Sequence, residues 1–188
     1  LPTKYHIVYT VIARCRPQIS EDLEHCIGDD EPSECVRVLT TKSLSVSRLY
    51  YEDRNFTFDA VLGPTATQEK TYAVLGRGAV EEVMRGFNGT VMAYGQTGSG
   101  KTFTVFGSST FWRKFETSKC AHLRPKDYTT WSEWETAGLL PRAFVDISKS
   151  IDRKRRKGVS VSLRFSALQI YREQLLDMLA ERSEEQSK

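Results

Sequence analysis

The chain has 188 residues, 39% of them hydrophobic and 27% charged, which is ordinary for a globular domain. Its net charge of +3 is small, so charge favours neither DNA nor RNA nor an acidic surface as a partner. No stretch approaches the roughly 20 apolar residues that a membrane-spanning helix needs. We therefore expect no nucleic-acid partner and no membrane insertion. The four cysteines form no C-x-x-C pair, which favours reduced thiols in a cytoplasmic protein.

The first third of the chain has the pattern of short strands. A β-rich run covers residues 5–17 and stops at a proline. Short segments in which apolar and polar residues alternate follow between residues 34 and 62, with turn-like breaks at 40–42 and 52–55. This pattern predicts small antiparallel strands and then a further strand near residues 56–62.

A helix is predicted after the Gly63-Pro64 break. Thr65 and Gln68 have the spacing of a capping box. Apolar residues then recur at steps of three and four over 72–87, which is typical of one amphipathic helix. Gly89, in the sequence "FNG", is the predicted end of this helix.

The remaining elements alternate between strands and helices. The apolar run at 90–94 predicts a strand buried on both faces of a parallel sheet, and 138–157 reads as a helix. Residues 159–165 alternate as a strand that "LQIY" continues, and "REQLLDML" reads as a short helix. The order β, α, β, α, β predicts an α/β layered fold.

The most specific motif is "GQTGSGKT", which fits G-x-x-x-x-G-K-[ST]. Its glycines allow successive backbone N–H groups to face the phosphates of a nucleotide. Lys101 would reach the β- and γ-phosphates, and Thr102 would offer its hydroxyl to Mg²⁺. The predicted phosphate loop consists of Gly95, Gln96, Thr97, Gly98, Ser99, Gly100, Lys101 and Thr102.

Around this loop the sequence resembles the kinesin motor domain. The similar segments are "VIARCRP", "FTFDAVLGPTATQEKTY", "AYGQTGSGKTFT" and "SALQIYREQLLDML", which lie in the order of that family between residues 11 and 179. The resemblance implies an α/β P-loop NTPase fold, a three-layer α/β/α sandwich that is incomplete here. Residues 1–188 would be the N-terminal half of a motor domain, with a long insertion-like loop at about 108–137.

The resemblance also implies a function and further site residues. The complete protein would couple ATP hydrolysis, with Mg²⁺, to movement along microtubules, and would act in the cytoplasm at the cytoskeleton. The R-x-R-P segment would edge the adenine with Arg14, Arg16 and Pro17, and Phe103 would stack on it. Gln169 and Arg172 depart from the usual Glu and Asn of the family's E-I-Y-N-E segment.

The region 108–137 holds all three tryptophans of the chain. A loop of this length is usually functional or disordered, and its aromatic content argues against pure disorder. Two interpretations stay open. The region is either a binding surface or small-molecule pocket beside the nucleotide, or an insertion that packs on itself.

Two switch motifs of the family, N-x-x-S-S-R-S-H and D-x-x-G-S-E, do not occur in the sequence. The resemblance assigns γ-phosphate sensing to them, and it assigns microtubule (tubulin) binding mainly to the absent C-terminal half. We therefore expect this portion alone to bind nucleotide weakly and to hydrolyse it negligibly. An alternative is a truncated, non-catalytic binding module that acts through its aromatic loop. An unrelated P-loop kinase or GTPase would leave the R-x-R-P and I-Y-x-E-x-x-x-D segments unexplained. The sequence does not predict the oligomeric state.

Overall fold

The computed structural model describes residues 9–18, 35–48, 51–117 and 129–180. The strands in these ranges are β1 (Ile12–Arg14), β2 (Val36–Val38), β3 (Ser43–Arg48), β4 (Tyr51–Thr57), β5 (Ala60–Leu62), β6 (Leu168–Tyr171) and β7 (Gln174–Asp177). The helices are α1 (Gln68–Leu75), α2 (Arg77–Arg85), α3 (Lys101–Val105), α4 (Ser109–Thr117), a 3₁₀ helix (Ser132–Thr136) and α5 (Leu139–Arg156). The mixture of strands and helices agrees with the predicted α/β class.

The chain divides into two compact units, residues 1–150 and 151–188, and the boundary falls within α5. The candidate site described below lies entirely in the first unit. No helix in the described ranges combines the length and apolar character that a bilayer crossing requires.

The described residues of the first unit form two sheets. β1 and β5 pair in parallel, with Ile12 opposite Ala60 and Arg14 opposite Leu62. β2, β3 and β4 form an antiparallel sheet in chain order. The antiparallel strands and the turn at 40–42 were predicted correctly. The predicted break at 52–55 is wrong, because these residues lie inside β4, where Arg54 and Asn55 pair with Val46 and Ser45 of β3.

The predicted single helix is in fact two helices that meet at Gly76. The cap of α1 is Thr67, whose hydroxyl accepts a hydrogen bond from the backbone N–H of Lys70, so the capping box predicted at Thr65 is wrong. α2 ends at Gly86, with a left-handed φ of 103°, rather than at Gly89. Both errors have the same cause, since several small polar residues and glycines compete for each helix end.

Two predicted strands do not form. Residues 90–94 and 159–165 adopt no regular secondary structure, and side chains such as Met92 and Tyr94 are 82% and 98% exposed. A strand exists only where a neighbour satisfies its backbone N–H and C=O groups. The described part of the chain provides no strand that pairs with either segment.

The second unit contains a hairpin in place of the predicted short helix. β6 and β7 pair antiparallel, with Tyr171 opposite Gln174. The two residues between them, Arg172 and Glu173, both have positive φ, at 48° and 65°. Two successive residues of this kind form the tight turn that suits a two-residue hairpin. The helix predicted at 138–157 is confirmed as α5, with Pro141 in its first turn.

Candidate functional site

The phosphate loop forms a tight turn that leads directly into α3. Gly98 and Gly100 have φ values of 79° and 88°, in the left-handed region that other residues rarely adopt. The backbone N–H of Ser99 donates to the Gln96 carbonyl at 3.2 Å, and α3 begins at Lys101. The predicted helix after the loop is therefore present. The predicted strand before it, at 90–94, is not.

Lys101 lies across the loop that precedes it. Its Nζ donates to the carbonyl oxygens of Gly95 and Gln96, at 2.7 and 2.8 Å. The neighbouring Thr102 side chain is exposed at the start of α3. A Cβ added at Gly98 would meet no atom within 4 Å, so the loop is open on that side. An open loop of glycines with one ammonium group fits a phosphate, and the Thr102 hydroxyl fits one ligand position of Mg²⁺.

A cavity of about 620 Å³ adjoins the loop. Residues from the end of β1, the start of α1, the loop, α3 and the 3₁₀ helix line it, and α5 contributes Arg142. The lining includes these residues of the predicted site: Arg14, Arg16, Pro17, Ser99, Gly100 and Phe103. The other predicted residues are not part of the lining but are close to it in the chain. Gly95, Gln96, Thr97 and Gly98 precede Ser99, and Lys101 and Thr102 lie between Gly100 and Phe103. The folded chain thus brings the R-x-R-P segment beside the phosphate loop, and a Cβ at Gly100 would lie 3.8 Å from Cδ of Arg16.

Arg14 is held by several contacts at the end of β1. Its Nη1 donates to Oε1 of Gln68 and to Oγ1 of Thr104, each at 2.9 Å. Its guanidinium lies 5.4 Å from the centroid of the Phe103 ring. Burial lowers the pKa of Arg14, although an arginine stays protonated in proteins. The guanidinium is therefore a fixed cation on the wall of the cavity.

Gln68 belongs to the site, although the sequence analysis assigned it no role in nucleotide binding. It is 4% exposed, and its Nε2 donates to the carbonyl oxygens of Phe103 at 2.6 Å and Thr136 at 3.4 Å. Its role in a capping box was predicted wrongly. The sequence does contain one signal, because this polar residue precedes Thr71 and Tyr72 on the face of α1 that is buried.

Arg142 is a second residue that sequence reasoning missed. Its Nε donates to the Ala137 carbonyl at 2.9 Å, and its Nη2 donates to those of Trp134 and Glu135 at 2.8 and 3.3 Å. The guanidinium also lies 5.0 Å from the centroid of the Trp134 ring. Burial lowers the pKa of Arg142. This side chain fixes the 3₁₀ helix against α5 at the edge of the cavity.

The region 108–137, called the insertion below, has a core of aromatic rings in its described part. Phe111 is fully buried, and its ring centroid lies 5.3 Å from that of Trp112, 6.3 Å from that of Trp131 and 6.1 Å from that of Trp134. Packing of the insertion on itself therefore accounts for these residues. Its C-terminal end also lines the cavity, so the interpretation as a surface beside the nucleotide keeps its support. Residues 118–128 lie outside the described ranges.

The ends of the insertion cross at very short distance. Gly107 and Ala137 form an isolated antiparallel bridge, and the Gly138 N–H donates to the Phe106 carbonyl at 3.2 Å. A Cβ at Gly138 would lie 2.6 Å from the Gly107 nitrogen, closer than any side chain permits. Glycine is required at this crossing because the two backbones leave no room for a side chain.

Comparisons with known proteins agree with these features. A family model described as the kinesin motor domain matches residues 14–188. Kinesin-like protein KIF15 of Homo sapiens is 38% identical over 157 residues, which cover 81% of this chain and 10% of that protein. Kinesin-like protein Klp61F of Drosophila melanogaster is 36% identical over 172 residues, which cover 90% of this chain and 14% of that protein. The chain thus spans only 10% and 14% of the lengths of these two curated relatives.

A solved structure of a fast kinesin, described in terms of its ATPase mechanism and its interactions with microtubules, is similar to the fold. Its TM-score is 0.65 at 26% identity, and the match covers 91% of this chain and 40% of that chain. The likeness is that of a P-loop NTPase fold of which this chain contains a part.

Proposed function

Because the chain belongs to the kinesin motor domain family, we propose that residues 1–188 are the nucleotide-binding part of a microtubule motor. The complete protein would couple ATP hydrolysis to movement along microtubules, and it would act at the cytoskeleton. One observation carries the nucleotide part of this proposal. The open glycine loop, with Lys101 lying across it, adjoins a cavity whose wall contains Arg14 and Phe103.

The phosphates are assigned to the loop. Its N–H groups would hold the β- and γ-phosphates, and Lys101 Nζ would exchange its two carbonyl partners for phosphate oxygens. Thr102 would supply one hydroxyl ligand to Mg²⁺. When bound, Mg²⁺ would neutralise part of the phosphate charge.

The base is assigned to the cavity beside the loop. Pro17 and the exposed Arg16 would face one side of the adenine, and Phe103 would offer its ring. Arg14 already lies against Phe103, so its contribution would be to set that ring and to place a positive charge nearby.

Hydrolysis and microtubule contact are assigned to other segments of the protein. The two switch motifs that sense the γ-phosphate in the family do not occur among the 188 residues. Phosphoryl transfer depends on positioning and charge stabilisation, which need more groups than the phosphate loop provides.

The test is Lys101→Ala in the full-length protein. Loss of a charged group that contacts the phosphates should lower microtubule-stimulated ATPase activity by about 10²–10³-fold, as measured by phosphate release. The matched control is Lys70→Ala, which removes an exposed lysine from α1, and it should keep the activity of the unmodified protein. Full turnover in Lys101→Ala would contradict the proposed role of the loop.

A further inference from the structure

Gln68 lies where four segments of the first unit meet. Its side chain contacts Arg14 at the end of β1, Phe103 in α3 and Thr136 at the end of the insertion, while its backbone opens α1. We propose that Gln68 is a positioning residue of the nucleotide site, which holds Arg14 over the Phe103 ring and ties α3 to the base of the insertion. This inference rests on the nucleotide-binding function proposed above.

The chemistry of the contacts requires an amide at this position. Arg14 can only donate hydrogen bonds, and the two backbone carbonyls can only accept them. A side chain that serves both must accept at one end and donate at the other, which glutamine does through Oε1 and Nε2. The partners therefore also fix which way the amide points. Glutamate would keep the Arg14 contact but would place an acceptor against two acceptors, and leucine would keep neither contact.

The geometry connects this amide to the residues that would handle nucleotide. α3 has only five residues, and it carries Lys101, Thr102 and Phe103 in succession. Gln68 holds this helix through the Phe103 carbonyl, and Arg14 holds it through the Thr104 hydroxyl. Gln68, Arg14 and α3 thus form a closed set of hydrogen bonds. Removing Gln68 frees the Arg14 guanidinium on one side and loosens the start of the helix on the other.

Because Gln68 lines the part of the cavity assigned to the adenine base, its replacement should change the KM for nucleotides. In the full-length protein, Gln68→Leu should raise the KM for ATP roughly tenfold, while kcat changes far less. This magnitude is the one expected when hydrogen bonds to a charged partner and to a buried partner are lost. Because the disturbed wall faces the base, the ratio of the KM for GTP to the KM for ATP should fall toward one. Gln68→Glu should show a smaller fall in this ratio, since it keeps the Arg14 contact.

The control for a purely structural role is Val80→Ala. Val80 is buried in α2 and does not line the cavity, so this variant lowers stability without touching the site. Val80→Ala should leave both KM values and their ratio unchanged. If it changes the ratio as much as Gln68→Leu does, or if Gln68→Leu leaves the ratio unchanged, Gln68 is not a positioning residue.

Two further variants allow the proposal to be tested even if Gln68→Leu does not fold. If Gln68→Leu does not fold, Gln68→Glu carries the test, and the proposal requires a partial fall in the KM ratio because the contacts to the two backbone carbonyls are lost. An unchanged ratio in that variant overturns the proposal. The Lys101→Ala variant distinguishes a failure of the proposed nucleotide-binding function from a failure of the role proposed for Gln68. Full ATPase activity in that variant refutes the proposed function, whereas its loss beside an unaffected Gln68→Leu variant refutes only the role of Gln68.

Discussion

Replacing Phe111 with alanine tests whether the insertion is held by a core of its own. The Phe111 ring is 0% exposed and lies against all three tryptophans of the chain, Trp112, Trp131 and Trp134. Because no tryptophan lies elsewhere in the sequence, selectively excited tryptophan fluorescence reports on the insertion alone. Phe111→Ala therefore removes the ring at the centre of the cluster and leaves its three reporters in place.

The magnitude follows from the burial and the ring contacts. Removing a fully buried phenylalanine side chain costs about 3–5 kcal/mol. Each lost aromatic pair contributes to that total, at about 0.5–1.5 kcal/mol beyond the area it buries. Since 1.4 kcal/mol corresponds to about one factor of ten, the population of molecules with an opened insertion should rise by roughly two to three and a half orders of magnitude.

The assay is tryptophan emission with acrylamide quenching, compared between Phe111→Ala and the unmodified chain. We expect emission at longer wavelength and stronger quenching, because the indole rings gain contact with water. Phe165→Ala is the matched control, since it removes the same ring from a site that is 68% exposed, and it should leave both signals unchanged. Unchanged emission and quenching in Phe111→Ala would refute the idea that this ring organises the insertion.

Two further predictions concern stability. Gly107→Ala should lower the free energy of unfolding by roughly 2–4 kcal/mol in urea titrations, because φ is 101° and the new Cβ would lie 2.7 Å from the Gly138 nitrogen. Gly78→Ala, with open space around its Cβ, should raise stability by up to about 1 kcal/mol, and equal effects of the two variants would contradict the crowded crossing. The Tyr72 hydroxyl donates to Oδ2 of Asp146 at 2.8 Å, and burial, then this hydrogen bond and the carboxylate charge, raises the Tyr72 pKa. Above the ordinary pKa of about 10 the unfolded chain loses this proton while the folded chain keeps it, so stability should fall by up to about 1.4 kcal/mol per pH unit. Tyr72→Phe should lack this component, and a constant stability difference between the two proteins from about pH 9 to about pH 11 would exclude it.

The parts of the fold that the sequence predicted correctly are those governed by local chemistry. The glycines of the phosphate loop were identified because only glycine suits the φ values found at Gly98 and Gly100. α5 was recognised as a helix near 138–157, with Pro141 in a position that the first turn allows. The assignment of individual nucleotide contacts to Arg14, Arg16, Pro17 and Phe103 stays a prediction, although the fold brings these residues to one cavity.

The errors and omissions concern features that depend on distant segments. The run at 90–94 has the composition of a buried strand, but composition does not provide a hydrogen-bonded neighbour. Gln68 acquires its role from partners 54, 35 and 68 residues away, so its local pattern, a polar residue on the buried face of α1, does not reveal those partners. The hairpin turn at Arg172 and Glu173 was missed for another reason. Neither residue is one of the asparagines or glycines that usually signal such a turn.

The crossing of Gly107 with Ala137 means that the insertion begins and ends at a single point of the first unit. The spacing between α3 and α5 is then set at that point and not by the number of residues in between. Lengthening the insertion costs only about 0.6 kcal/mol of loop-closure free energy for each doubling of its length. A peptide or reporter sequence added within the insertion would therefore leave the placement of Lys101 and its neighbours unaltered.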